Sequence, residues 1–151
     1  MKDEQTGLTG ATDIAGFKTL LRENKLKVTQ PRLRVLEIIS AKQRAISQPE
    51  LEKLLGKETD RVTLYRILAS FEEKGILHKI FDLHGTATYA TCSHHCTEHK
   101  HEDQHIHFIC SSCNSVICLE EISIPNIKVP KNFALQSVAV NAVGLCDKCQ
   151  Q

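Results

Sequence analysis

Residues 60–91 read DRVTLYRILASFEEKGILHKIFDLHGTATYAT, and the fold class follows from how this stretch is parsed. Leu64, Ile67, Leu68 and Phe71 recur at helical spacing, so one apolar stripe faces a core. Asp60 is a suitable N-cap and Gly75 a suitable stop, which predicts a helix over 61–74. Val62, Tyr65, Arg66 and Ala69 fall away from the stripe. Residues 76–81 and 86–91 are β-rich and separated by Asp82-Leu83-His84-Gly85, a turn signal. A helix running straight into a two-stranded hairpin is half of a winged helix-turn-helix.

The upstream chain supplies the rest of that unit. A helix is expected over 14–24, with Phe17, Leu20 and Leu21 on one face. Pro31 opens a second helix to about Ser40, whose Leu33, Val35, Leu36, Ile38 and Ile39 cover a wide arc and place it at the centre of the core. Ser47-Gln48-Pro49-Glu50 is a capping box that starts a short helix burying Leu51, Leu54 and Leu55 before Gly56. Residues 1–13 are polar and read as a mobile arm.

Charge and composition divide the 151-residue chain in two. The formal net charge is only +1, yet residues 14–80 carry a net +6 and residues 81–151 a net −3. A basic first half is suited to a polyanion. In the second helix of a helix-turn-helix, the side chains near base edges would be Arg61, Thr63, Tyr65 and Arg66, with Lys25, Lys27 and Arg32 tracking the backbone. Each taken singly is equally compatible with a solvated helix face; the hairpin and the charge argue for the group.

All seven Cys, and every His except His78, lie after residue 80. No apolar run approaches the ~20 residues of a membrane helix, and the N-terminus lacks the apolar core of a secretory signal. The expected compartment is therefore the reducing cytoplasm, where clustered Cys bind metal more often than they pair. Cys110-Ser-Ser-Cys113 and Cys146-Asp-Lys-Cys149 can each place two thiolates on one tetrahedral ion, which points to a four-cysteine structural zinc. Two disulfides, free buried thiols or a redox pair are the other readings of the same spacing. Residues 93–103 are a His-rich polar loop; strands are expected at 106–109, 115–119 and 134–143. The domain plan is an arm over 1–13, a winged helix over 14–91 and a small metal-binding α/β domain over 92–151. His105-Ile-His107 puts two imidazoles on one face of a strand. With His78 and Cys92 from the hairpin they would form a second, mixed site across the two domains, although a lone His is as often a solvated or hydrogen-bonded one.

Three stretches resemble the ferric uptake regulator family. They are Leu26-Lys-Val-Thr-Gln-Pro-Arg-Leu-Arg-Val-Leu36, the helix Arg61-Val-Thr-Leu-Tyr-Arg-Ile-Leu68, and His105-Ile-His-Phe-Ile-Cys-Ser-Ser-Cys113. The closing CxxC at 146–149 also fits, and the motifs occur in the family's order. The resemblance implies an α+β protein: a winged helix-turn-helix followed by a small C-terminal α/β dimerisation domain. It also implies a structural zinc on Cys110, Cys113, Cys146 and Cys149, and metal-dependent repression from a double-stranded DNA operator by a homodimer. Zinc-sensing members place a cysteine just after the wing, where this chain has Cys92, with His78, His105 and His107 at the other ligand positions. A thiolate favours zinc over ferrous or manganous ion, so the chain is most similar to the zinc uptake regulator branch. An iron-, manganese- or peroxide-responsive regulator is the alternative. Cys118 stands where the family commonly has an acidic residue and is either a replacement ligand or a buried thiol; Cys96 and the loop histidines are alternate ligands or weak metal scavengers. A metalloenzyme would need an open metal position beside a general base, and Glu98 and Glu102 lie in a polar loop with no evident pocket. A zinc-storage protein would leave the helix at 61–74 unexplained.

Overall fold

The computed structural model describes residues 13–91, 105–136 and 138–151; the arm over 1–12 and the loop over 92–104 lie outside the described residues. The first half runs α1 (Ile14–Glu23), α2 (Gln30–Ser40), β1 (Ile46–Ser47), α3 (Gln48–Leu55), α4 (Arg61–Glu73), β2 (Leu77–Phe81) and β3 (Ala87–Thr91). The second half contributes β4 (His105–Cys110), β5 (Val116–Ser123) and β6 (Asn141–Gly144). No helix among the described residues is long and apolar enough to cross a membrane.

Local chemistry sets the helix ends. Ser47 Oγ accepts from the Glu50 N–H (3.3 Å), and Asp60 Oδ1 accepts from the Thr63 N–H (2.9 Å), so α3 and α4 each begin on a side-chain cap. Gly56, with φ +56°, takes the chain out of α3. The apolar stripes then meet. Leu21, Leu33, Val35, Leu36, Leu51, Leu64, Leu68, Phe71 and Leu77 form one core, with Phe17 and Leu20 packed at its edge. Each of these side chains contributes about 1.5–3 kcal/mol when fully buried. The expected inward position of Leu54 is corrected: it is 44% exposed. Leu51 and Leu55 lie one turn apart on the core face, and Leu54 falls at its solvent edge.

The wing is a three-stranded antiparallel sheet in the order β1-β3-β2, with Ile46 opposite Tyr89 and His78 opposite Ala90. The two-residue β1 was not among the expected strands. Strand β2 is buried on both sides at its start, before Lys79 and Phe81 open toward solvent. Leu77 points into the helical core, whereas Ile80, with Ala45 and Ala90, packs against Ile109 and Val116 of the second half. The second sheet has the order β5-β4-β6: β4 pairs antiparallel with β5 and parallel with β6. The strand expected over 134–143 is corrected to Asn141–Gly144, the stretch that pairs with His107 to Cys110 of β4.

Candidate metal centres and nucleic-acid interface

Cys110 closes β4, and Cys113 follows in the turn that leads to β5. The parallel strand β6 ends at Gly144, whose carbonyl accepts from the Ser111 N–H (2.8 Å), so Cys146 and Cys149 arrive beside the first knuckle. The four sulfurs lie within 4.8 Å of one another, and all four cysteines are free thiols. Sulfurs held tetrahedrally by one zinc at ~2.3 Å stand about 3.8 Å apart; Cys113 Sγ and Cys146 Sγ are 3.8 Å apart. The residues present therefore fit a closed thiolate site. Backbone N–H groups of Cys113 and Cys146 face the Cys110 sulfur and pull its thiol down to about 6. Against the Ser112 hydroxyl, the Cys146 and Cys113 sulfurs push the Cys149 thiol up to about 12. Sulfurs this close cannot all ionise without a cation among them.

A second cluster joins the halves. His78, His107 and Cys118 bring their ligand atoms within 4.8 Å of one another, and both histidines are buried. His78 Nε2 lies 3.2 Å from Cys118 Sγ, and the His78 and His107 ring centroids are 5.4 Å apart. The sheets explain the meeting. His107 and Cys118 are direct cross-strand neighbours on β4 and β5 and so share a face. His78 comes from the face of β2 turned away from Leu77. Imidazole nitrogen and thiolate sulfur on one tetrahedral zinc stand ~3.6 Å apart, so a small outward shift of either group would admit the ion. Of the four residues expected here, the structure brings His78 and His107 together. Cys92 lies outside the described residues, as does the side chain of His105. Cys118, which the sequence left open between ligand and buried thiol, is the third member among the described residues.

On the opposite side, α4 exposes Arg61, Val62, Tyr65 and Arg66. Tyr65 and Val62 are about 60% exposed, which is unusual for apolar side chains on a packed helix. Three of the expected contact residues have other engagements. Arg61 donates to Glu52 Oε2 (3.2 Å), and Thr63 donates its hydroxyl to Asp60 Oδ2 (2.6 Å) as part of the helix cap. Lys25 and Lys27 are exposed, and Lys25 sits in a left-handed turn at φ +58°. Arg32 donates to the Lys27 carbonyl (2.7 Å). Arg66 and Tyr65 project with Arg61, whose side chain stays 79% exposed despite Glu52, and Val62 joins them as a methyl-bearing neighbour.

Comparison with known proteins follows the same lines. A model of the ferric uptake regulator family matches residues 23–142. The ferric uptake regulation protein of Bordetella parapertussis is 34% identical over 143 residues, covering 87% of this chain and 94% of that protein. The Cupriavidus metallidurans protein of the same name is 32% identical over 136 residues, covering 85% and 90%. Among solved structures, a zinc uptake regulator complexed with zinc and DNA superposes with a TM-score of 0.66 at 24% identity, over 95% of this chain and 97% of that one. The Vibrio cholerae ferric uptake regulator superposes with a TM-score of 0.59 at 25% identity, over 85% and 98%. With the winged sheet, the clustered thiols and the matched span all in agreement, the chain belongs to the ferric uptake regulator family of metal-responsive, DNA-binding transcriptional repressors.

Proposed function

We propose that this chain is a cytoplasmic, homodimeric, zinc-responsive repressor. In this reading Cys110, Cys113, Cys146 and Cys149 hold a structural zinc, and His78, His107 and Cys118 hold a regulatory one, with Cys92 or His105 completing the shell. The carrying observation is the cluster of two imidazoles and a thiol where the wing meets the second sheet. A thiolate among the ligands favours zinc over ferrous or manganous ion, whose sites lean to carboxylate and imidazole. A zinc ion bound there supplies a tie between β2 and the β4–β5 pair. His78 then fixes the wing, and through it α4, relative to the second sheet.

The domain plan of 14–91 and 92–151 suits this division of labour. Tyr65 and Arg66 would read the major groove, and Lys25, Lys27, Arg32, Arg61 and Thr63 would stand near phosphate or the groove edge. The exposed apolar residues Ile122, Ile127, Val129, Phe133, Leu135 and Val143 all fall in the second half, and a second copy of the chain would cover them. The structural neighbour complexed with zinc and DNA supports the same reading.

The test uses full-length dimer and a palindromic duplex selected from random sequence. Mild chelation should leave about one zinc per chain and lower DNA affinity at least ~10-fold, with zinc restoring it. Equal affinity in the stripped and loaded forms would refute the proposal. The relatives named for ferric uptake favour a second reading, in which ferrous ion is the signal. Restoration of binding by ferrous ion at lower concentration than zinc would favour that alternative.

A further inference from the structure

The two halves touch at a place that holds none of the clustered ligands. The wing turn is organised by Asp82, whose Oδ1 accepts from the N–H groups of His84 (2.8 Å) and Thr86 (2.9 Å). Its other oxygen, Oδ2, accepts from Asn114 Nδ2 at 2.9 Å. Asn114 directly follows Cys113 and is held by the knuckle turn: its N–H donates to the Cys110 carbonyl (2.9 Å). Its φ of +59° lies in the left-handed region, where Asn is better tolerated than most residues. Asn114 Oδ1 is buried and makes no hydrogen bond. The carboxylate thus fixes which way the amide faces, since the reversed amide would set oxygen against oxygen. Close by, the Ala45 N–H donates to the Val116 carbonyl (2.8 Å), and Ala45, Ile80 and Ala90 pack on Ile109 and Val116.

We propose that Asn114 is a positioning residue: by tying the wing turn to the four-cysteine knuckle through Asp82, it sets the zinc concentration at which the protein engages DNA. The proposal rests on the reading of the junction cluster given above. His78 reaches His107 and Cys118 only when the halves are docked. Part of that docking is made by groups that bind no metal: the Asp82–Asn114 bond, the Ala45–Val116 bond and a small apolar cluster. Apparent zinc affinity is the intrinsic affinity scaled by the docked fraction of metal-free protein. Weakening the tie lowers that fraction and moves the zinc midpoint up, while saturating zinc still gathers every molecule into the docked form.

The atoms supply a rescue experiment. Asn114→Asp faces one carboxylate with another. Adding Asp82→Asn puts an amide nitrogen where Oδ2 stood, so the bond re-forms with donor and acceptor exchanged, and Oδ1 still caps the turn. Binding to the selected duplex is followed during zinc titration of the full-length dimer. Asn114→Asp should raise the zinc midpoint about tenfold, because a hydrogen bond to a charged group is lost and repulsion replaces it. Affinity at saturating zinc should stay within ~2-fold and the retained zinc at about one per chain. The double variant should return to within ~2–3-fold of the parent midpoint. Hydrogen exchange at the Ala45 amide, whose acceptor lies on the other half, reports docking without DNA or junction zinc. Its protection should fall in Asn114→Asp and recover in the double variant. An unmoved midpoint, an unmoved Ala45 exchange rate, or a loss that Asp82→Asn does not rescue overturns the proposal. Parent DNA binding that ignores zinc strikes the junction reading instead, and Ala45 exchange still decides whether Asn114 holds the wing.

Discussion

Replacing Cys118 by Ser separates a metal-binding role from a packing role. The thiol is half-buried, sits 3.2 Å from His78 Nε2 and lies directly across the ladder from His107. Serine keeps the shape nearly intact, so the strand pairing and the neighbouring apolar contacts with Val116 and Ile109 should survive. It does not keep the soft donor. Losing an outer partner of a metal ligand already costs 10–100-fold in affinity, so losing a ligand sets a floor near ~100-fold, or about 2.7 kcal/mol. Junction zinc affinity, measured by competition with a chromophoric chelator, should fall by about that factor. The zinc midpoint for DNA binding, read by fluorescence anisotropy, should move equally, with affinity in excess zinc preserved. Zinc binding by the proposed four-cysteine site should be unchanged. Cys118→Glu should rebind zinc poorly and respond better to ferrous or manganous ion, because a carboxylate is the harder donor. If Cys118→Ser leaves the midpoint in place, the thiol is only a packed neighbour of His78 and the reasoning fails.

Three further outcomes can be checked more simply. Phe71 is fully buried in the helical core, and Phe71→Ala should destabilise the first half by about 3–5 kcal/mol in urea unfolding; a loss under ~1 kcal/mol would mean the core collapses around the cavity or is not formed as described. Arg66→Ala should weaken DNA binding by about 1–3 kcal/mol without shifting the zinc midpoint, and a loss under ~0.5 kcal/mol would remove Arg66 from the DNA-contacting face. Asp60 is held below the usual carboxylate range by the Thr63 hydroxyl and then the Thr63 N–H. A depressed value means that its stabilisation is present above the ordinary carboxylate pKa and is lost as pH falls through the lowered one. Asp60→Asn should therefore flatten part of the acid limb of the urea midpoint against pH, and identical acid limbs in parent and variant would sink this assignment.

What the sequence disclosed, and what it concealed, divides by range of interaction. Helix stripes such as Leu64, Ile67, Leu68 and Phe71 are local patterns that hold wherever the helix docks, and all four are buried. The four-cysteine constellation was legible because two CxxC knuckles state their own geometry. Strand β1 was not, since Ile46–Ser47 has no local signal and exists only because Tyr89 and Thr88 lie beside it. The strand expected over 134–143 is the complementary case: alternating apolar residues form a strand only where a neighbour pairs with them, and here that is Asn141–Gly144 beside β4. Cys118 sits between. Once Ile109 is paired with Val116 across the knuckle turn, the antiparallel register places position 118 opposite 107. That count could be made from sequence only by knowing that Asn114 takes the left-handed turn conformation.

A strand with two buried faces is what turns these separate features into a regulator. Had the His78 face of β2 been wet, His78 would be a solvated histidine and the strand itself would give the second half nothing to hold. Instead Leu77 commits one face to the helices that carry α4, and His78 with Ile80 commits the other to the second sheet. A change in how firmly that second face is held would then be felt by α4, because Leu77 shares a continuous core with Leu64, Leu68 and Phe71. Among the described residues the apolar contact on the second face is small, five buried residues against sixteen in the helical core. On the reading proposed above, a contact of this size leaves room for a single hydrogen bond or a single ion to bias the docked state.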